Sequence, residues 1–274
     1  MTPVSVVIPC HNYGRYVADA LRSIAEQTEL PDEVLVINDG STDDSSDVLD
    51  TCRRELADRL PITVVNQANQ GLVRTLNDGV RRAASPYVMF VSADDRARPE
   101  LIARLRRKLD HDPRAGYAYS KMELFGDESG VYLTYPFSPG RLIFDHNYVP
   151  GAAMVRRDAY LQVGGLRELP AEEDWDMWLA FLAAGWRGQF EPTVQYEWRR
   201  HGEARNHQSQ ATRLRLRVQI QGRRPLLLLR YAHLAIPYTV TAFWRRLRLR
   251  VGPSPRYART ASGCWIEAPV TEDR

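Results

Sequence analysis

Val88-Met89-Phe90-Val91-Ser92-Ala93-Asp94-Asp95 is an apolar run that ends in two adjacent carboxylates, with Pro99 four residues further on. A short continuous apolar run bounded by polar residues reads as a buried strand. A strand that stops at paired acids delivers them to a sheet edge, where carboxylate oxygens can hold a divalent cation. Asp also caps helices, and Asp95 would equally serve to start the helix predicted from about Pro99 by Leu101, Leu105 and Leu109. Three earlier apolar runs, at residues 4–8, 34–37 and 62–65, are each followed by polar loop residues and then a helical pattern. The 88–91 run is therefore the fourth strand of an alternating α/β unit.

The chain has 274 residues, enough to bury a full α/β core with room for a C-terminal appendage. Strand residues follow directly on Met1-Thr2-Pro3, with no basic segment and apolar stretch before them, so a cytoplasmic N-terminal domain is expected. Cys10, Cys52 and Cys264 are far apart and lack paired metal spacing, which argues against a disulfide framework and a zinc site. Cys10 lies in a loop near the expected site, but no His-plus-acid arrangement accompanies it, and a packing role is the expectation. The net charge of +3 is segregated: residues 199–274 hold 16 arginines against 4 acids, a net +12, so the first 198 residues carry −9. Such a basic tail suits nucleic acid, anionic lipid or a polyanionic substrate.

The loops after the first two strands have the composition of a nucleotide site. Pro9-Cys10-His11-Asn12-Tyr13-Gly14 is a run of turn formers with an aromatic in it, leading into a helix through Val17, Leu21 and Ile24. In Asn38-Asp39-Gly40-Ser41-Thr42-Asp43, Asp39 ends the strand and Gly40 permits a tight turn before an acid-capped helix. The carboxyl ends of strands are where open α/β sheets bind ligands, and an acid there can accept hydrogen bonds from a ribose or a base. The same residues also make an ordinary turn with an N-cap. Neither the spaced glycines of a dinucleotide fold nor the glycine-lysine pattern of a phosphate loop is present. Phosphate charge would then be met by Asp94 and Asp95 through a divalent cation.

Taken together, Val6-Val7-Ile8-Pro9-Cys10-His11-Asn12-Tyr13, Asn38-Asp39-Gly40-Ser41-Thr42-Asp43, Asn69-Gln70-Gly71, Ser92-Ala93-Asp94-Asp95 and Glu173-Asp174-Trp175 resemble, in order and spacing, the family 2 glycosyltransferases over roughly residues 3–201. The resemblance implies a GT-A fold, a single Rossmann-like nucleotide-binding α/β/α sandwich, here with a mostly helical basic C-terminal extension. It also implies a nucleotide-diphosphate-sugar donor, a divalent metal (Mn2+ or Mg2+) and inversion at the anomeric carbon. Carried over by position, it assigns Pro9, His11, Tyr13, Asp39, Asn69, Gly71 and Asp94 to the nucleotide sugar, and Asp94, Asp95 and His201 to the metal. Family members often carry an acid two residues before the metal-binding Asp; here that residue is Ser92, which leaves Asp94 as the first choice of ligand and weakens the expected metal affinity.

In the second half, Pro150-Gly151-Ala152-Ala153-Met154-Val155 approaches a strand, and Arg156-Arg157 leads into a helix ending at Gly164-Gly165. The resembled family lines its sugar and acceptor cleft with such a segment, which assigns Gly151, Ala152, Glu173 and Trp175 to the acceptor; a packing connection bounded by glycine fits the same residues. Glu172-Glu173-Asp174 opens a helix whose Trp175, Trp178, Leu179 and Leu182 have core spacing, and acids suit a helix start. Inverting transfer needs a carboxylate to take the acceptor's hydroxyl proton, and Asp174 matches the family's base. Arg199 and Arg200 match a segment near the diphosphate, where guanidinium groups pair with phosphate.

The expected boundaries are a transferase domain at 1–207 (a nucleotide-sugar half at 1–110, an acceptor half at 111–207), a basic helical extension at 208–251 and a poorly ordered tail at 252–274. Arg213-Leu214-Arg215-Leu216-Arg217-Val218 returns as Arg246-Leu247-Arg248-Leu249-Arg250-Val251, and the apolar stretch between them is too broken to span a membrane. Two arrangements fit: helices in the membrane interface with Phe243 and Trp244 toward lipid and arginines toward anionic headgroups, or helices packed on the domain with a solvated Arg face. The expected function is transfer of a hexosyl group from a UDP-, dTDP- or GDP-sugar to a hydroxyl of a glycan, lipid-linked or small-molecule acceptor. The peripheral inner face of a membrane is the alternative location, and no nucleic-acid partner is expected. A nucleotidyltransferase would need a basic phosphate-gripping loop, for which Arg15 is the only early candidate. The non-enzyme alternative is a degenerate transferase fold that binds polyanions or membranes.

Overall fold

The structure, a computed structural model, describes residues 1–202, 210–236, 257–260 and 264–267. Its first part alternates as the apolar runs require: β1 (Val4–Cys10), α1 (Gly14–Ala25), β2 (Glu33–Asp39), α2 (Ser45–Glu55), β3 (Ile62–Gln67), α3 (Leu72–Arg82) and β4 (Tyr87–Phe90). There follow β5 (Arg96–Ala97), α4 (Leu101–His111), β6 (Ala115–Gly126), β7 (Gly130–Val131), α5 (Pro139–Phe144), β8 (Ala153–Arg156), α6 (Arg157–Gln162), α7 (Glu173–Ala183) and β9 (Arg187–Arg200). The extension forms α8 (Gln210–Gly222), α9 (Pro225–Arg230) and a single 3-10 turn at Ala232–Leu234, and β10 (Tyr257–Arg259) and β11 (Trp265–Glu267) make a short ribbon.

One mixed sheet runs β3-β2-β1-β4-β8-β6-β9-β5, with β7 on β6. The β1, β2, β3 and β4 neighbours pair in parallel, and β8 lies antiparallel between β4 and β6. The halves expected at 1–110 and 111–207 thus share a single sheet.

Strand side chains alternate faces, so the sheet separates two apolar layers. Val4, Val6, Ile8, Val34, Val36 and Met89 pack under α1, α2 and α4. Val7, Leu35, Val88, Phe90, Tyr117 and Tyr119 meet α3, α5, α6 and α7. Helix α7 buries Trp175, Met177, Trp178, Leu179, Phe181 and Leu182, apolar almost all round, because it lies between the sheet and the extension.

The described part of the extension packs on the domain. Ile220 and Leu227 join the α7 layer, Arg217 donates to the carbonyls of Phe144 and Asp145, and Gln221 to that of Ile143. Arg224 lies 2.6 Å from buried Asp176, with Arg167 and Arg223 also beside that carboxylate. The residues expected in a membrane interface, Phe243, Trp244 and the second arginine repeat, lie outside the described residues, as does the expected boundary at 207. In the described part of the tail, β11 lies against the β6–β7 hairpin, Ile266 bridging Tyr132 and Glu267 pairing with Lys121. Among the described residues no helix is long and apolar enough to cross a membrane.

Candidate functional site

The carboxyl ends of β1, β2 and β3 bring the first set of expected residues together. The loop after β1 is sewn to the loop after β2. Asn12 N–H donates to Ser41 Oγ, Thr42 N–H to Asn12 Oδ1, Tyr13 N–H to Ser45 Oγ, and Gly14 N–H to Asp43 Oδ2. A Cβ at position 14 would stand 1.9 Å from Asp44 Oδ1 and 3.0 Å from Ser45 N, so a larger residue there would displace the Asp44 side chain. Gly40 has φ +68°, and a Cβ there would meet Asn69 N at 2.7 Å. His11 Nδ1 lies 2.8 Å from the Asp39 carbonyl oxygen, an acceptor, so Nδ1 carries the proton; Asn69 then donates to Nε2 at 3.1 Å.

Asp39 is buried, and its carboxylate accepts from Gln67 Nε2, Gln70 N–H and Gly71 N–H at 2.8, 2.8 and 2.9 Å. Burial works against ionisation, yet these donors hold its carboxyl below the usual carboxylate range. Its charge is met within the fold, so it orders the Asn69-Gln70-Gly71 loop. Pro9, His11, Tyr13, Asp39, Asn69 and Gly71 do converge on one sheet edge. Cys10 is fully buried and its thiol is pushed up to about 11, chiefly by burial, which keeps it protonated and inert at neutral pH.

The second cluster forms where antiparallel pairing of β5 with β9 sets Arg96 opposite Glu197 and so draws the Asp94-Asp95 loop to the residues that follow β9. His201 Nε2 stands 3.0 Å from Asp94 Oδ2. The His201 ring is 8% exposed, faces Tyr13 and Tyr16, and has a buried Nδ1 with no hydrogen-bond partner among the described residues. Asp95, expected beside Asp94 at a cation, is held by hydrogen bonds within the fold. Its carboxylate turns inward, accepting from Tyr196 Oη at 2.9 Å and Arg199 N–H at 2.8 Å, and burial followed by the charge of Asp94 raises its pKa. It does not start α4, whose N-cap is Glu100. Ser92 donates its N–H to Tyr196 Oη, so the residue in the family's acid position joins the same brace.

Arg199, expected near a diphosphate, is held by contacts within the protein. Its Nε donates to the Asp94 carbonyl at 2.7 Å, Nη2 pairs with Asp19 at 3.0 Å, and its guanidinium stacks between Tyr16 and Phe125. Arg200 is buried against Trp198, pairs with Glu128, and lines the neighbouring cavity. Among the described residues, Asp94 and His201 gather no third His, Cys, Asp or Glu around a common point.

That cavity, about 590 Å³, opens between β4, β9 and the start of α7, with Ser92, Asp95, Trp198, Glu173, Asp174 and Trp175 among its walls. Asp174 accepts from Asn147 Nδ2 at 3.0 Å and from Trp175 N–H at 2.8 Å. Burial, and then the negative charges of Glu172 and Glu173, raise its pKa to about 8. Glu172 holds the left-handed conformation, φ 60°, at the N-cap of α7, a strained backbone of the kind found where side chains are aimed. Gly151 and Ala152 line the same space, and a Cβ at 151 would come within 3.8 Å of Asp174 Oδ2. Trp175 contributes a wall, but its indole N–H is committed to the Leu142 carbonyl, so it is also core. Asn147, Tyr196, Asp19 and Gln67, which hold Asp174, Asp95, Arg199 and Asp39, have no motif to mark them; their roles arise from contacts 27 to 180 residues apart in the chain.

Comparison with known proteins agrees with this arrangement. The profile of the family described as "Glycosyl transferase family 2" matches residues 5–164. An uncharacterized glycosyltransferase of Haemophilus influenzae is 26% identical over 189 residues, 65% of this chain and 62% of that protein; the chain thus spans less than two thirds of that relative. EpsE of Bacillus subtilis, a glycosyltransferase by name, is 26% identical over 207 residues, 73% of this chain and 74% of that one. Among solved structures, residues 1–349 of Staphylococcus aureus TarS in complex with UDP-GlcNAc superpose with TM-score 0.66 at 18% identity, covering 86% of this chain and 73% of that one. The mannosyltransferase PcManGT of Pyrobaculum calidifontis, in complex with GDP-Man and Mn2+, gives 0.62 at 19%, covering 93% and 77%. Those likenesses establish the GT-A fold. With the family profile covering more than half of its length, the chain belongs to glycosyl transferase family 2.

Proposed function

We propose that this protein transfers a sugar from a nucleotide-diphosphate sugar to an acceptor hydroxyl by direct displacement, with inversion at the anomeric carbon. The observation that carries the reading is Asp174, a half-buried carboxylate on the cavity wall whose pKa, raised to about 8, makes it a stronger base once ionised. In this reading Asp174 takes the proton of the acceptor hydroxyl as its oxygen bonds to the anomeric carbon and the bond from that carbon to the diphosphate breaks. Asn147 keeps the carboxylate aimed.

Asp94 and His201, whose Nε2–H donates to the Asp94 carboxylate, form a carboxylate–imidazole pair that would hold a divalent cation such as Mn2+ or Mg2+ once that proton is displaced. With two protein groups supplied, coordination positions are left for phosphate oxygens, and the ion would neutralise charge building on the leaving diphosphate. Arg199 and Tyr196 hold the loop that carries Asp94. Pro9, His11, Tyr13 and Asn69 stand at the sheet edge where the nucleoside would lie. UDP- and GDP-sugars are the first donor classes to test, in line with the donors bound in the two solved structures, with dTDP-sugars next.

The test is a thermal-shift panel of UDP, GDP, dTDP and CDP, each with and without Mn2+, followed by donor turnover in variants. One diphosphate should stabilise the protein in a Mn2+-dependent way, by about 2.7 kcal/mol at roughly 100 times its dissociation constant. Asp94→Asn should lose the Mn2+-dependent part, and Asp174→Asn should keep nucleotide binding while losing turnover by at least about a hundredfold. Full turnover in Asp174→Asn, or no shift with any nucleotide, would overturn the reading.

A further inference from the structure

Helices α8 and α9 are two-faced. Leu216 is buried, Ile220 and Leu227 pack into the α7 layer, and Arg217, Gln221 and Arg224 bond to the domain. On the opposite side Leu226 is 80%, Leu229 74% and Val218 65% exposed, among the most exposed large apolar side chains described. Leu226 and Leu229 are three apart and share a helix face. Exposed Arg215, Arg223, Arg230 and His233 accompany them, and residues 210–236 contain six arginines and no acid. Scattered apolar residues on a surface are ordinary. Leucines on one face of a helix set among arginines, with no acid in 27 residues, match an interface of hydrocarbon beneath anionic headgroups.

We propose that the outward face of α8 and α9 docks on an anionic lipid bilayer, Leu226, Leu229 and Val218 entering the headgroup boundary and Arg215 and Arg230 meeting lipid phosphates. The two arrangements left open by the sequence are thereby combined, one face packing on the domain and the other meeting lipid. Arg217 lines the cavity and Arg224 holds Asp176 two residues beyond Asp174, so the docking face belongs to the helices that brace the end of the site carrying the base. On the transfer reading alone, this turns the acceptor side of the cavity toward lipid-held acceptors; the docking itself does not depend on transfer.

The experiment is co-sedimentation of the full chain with vesicles of phosphatidylcholine alone and of three parts phosphatidylcholine to one part phosphatidylglycerol. Binding to the anionic vesicles should exceed binding to the neutral ones by at least about tenfold and weaken at high salt. Leu226→Glu with Leu229→Glu should reduce it by at least roughly tenfold with an unchanged thermal melt, since neither side chain is packed. Arg215→Ser with Arg230→Ser provides a second variant and should weaken binding by about tenfold with a shallower salt dependence. Absent binding, equal binding to neutral vesicles, or wild-type binding by the leucine variant would each overturn the proposal. So would a dimer in solution that the leucine variant dissociates without any vesicle binding, which would assign the face to a second copy of the chain. Nucleotide thermal shifts on the same samples separate failure here from failure of the transfer reading.

Discussion

Asp174 couples chemistry to stability. Burial and the neighbouring Glu172 and Glu173 raise its pKa to about 8, against an ordinary 3.8. Between those values the folded protein holds a proton that the unfolded chain has released, so this contribution to stability is complete below about pH 4 and declines as the pH rises to about 8. Asp174→Asn should abolish the decline: relative to wild type it should gain on the order of a few kcal/mol in denaturant midpoints between pH 5 and pH 9. Wild-type turnover should rise with pH toward about 8 as the base ionises, and a flat profile over that range would argue against its role. Cys10, with its buried thiol pushed up to about 11, should resist alkylation in native protein at neutral pH and react only on unfolding. The motif residues were legible singly; what Asp95 and Arg199 do was not. Their sequence neighbours suggest a cation and a phosphate, and only the fold shows the carboxylate braced by Tyr196 and the guanidinium stacked between Tyr16 and Phe125.

At the scale of the element, helix α7 carries the heaviest packing. Trp178 is fully buried, contacts Tyr117 and Phe181, and donates its indole N–H to the Val149 carbonyl. Trp178→Ala should cost about 3–5 kcal/mol in urea unfolding, because a cavity of that size cannot collapse between a sheet and a helix layer. Arg224→Ala should cost about 2–4 kcal/mol, since it strips the nearest cation from buried Asp176 while leaving that charge only Arg167 and Arg223. A loss below about 0.5 kcal/mol would show the Asp176 cluster to be solvated. Periodicity identified β1 to β4, α1, α4 and α7. It was silent on β6, whose register with β9 shifts at irregular points, and on α5, six residues long, because neither offers a sustained pattern.

For the whole molecule, the extension is part of the fold. Ile220 and Leu227 are buried in the α7 layer of the domain, and burying two such side chains is worth about 3–6 kcal/mol, a large part of the stability of an ordinary domain. A chain ending at Gly202 should therefore lose cooperative thermal unfolding or aggregate, whereas an equally compact melt would show that the first 202 residues stand alone. Charge segregation points the same way: the acidic domain and the basic extension meet at defined pairs, Arg224 with Asp176 and Arg217 with carbonyls at the end of α5.

The sequence by itself determined the alternating α/β order, the loops that carry Asp39, Asp94 and Asp174, and the family. Each is written in local periodicity or in a short motif, and local patterns need no knowledge of distant neighbours. Only the tertiary structure decided that β8 enters the sheet between β4 and β6, that His201 reaches Asp94 across 107 residues while Asp95 turns away, and that α8 and α9 close over α7. Those outcomes depend on which buried polar groups find partners and which apolar faces find cover, and a linear pattern does not encode that competition.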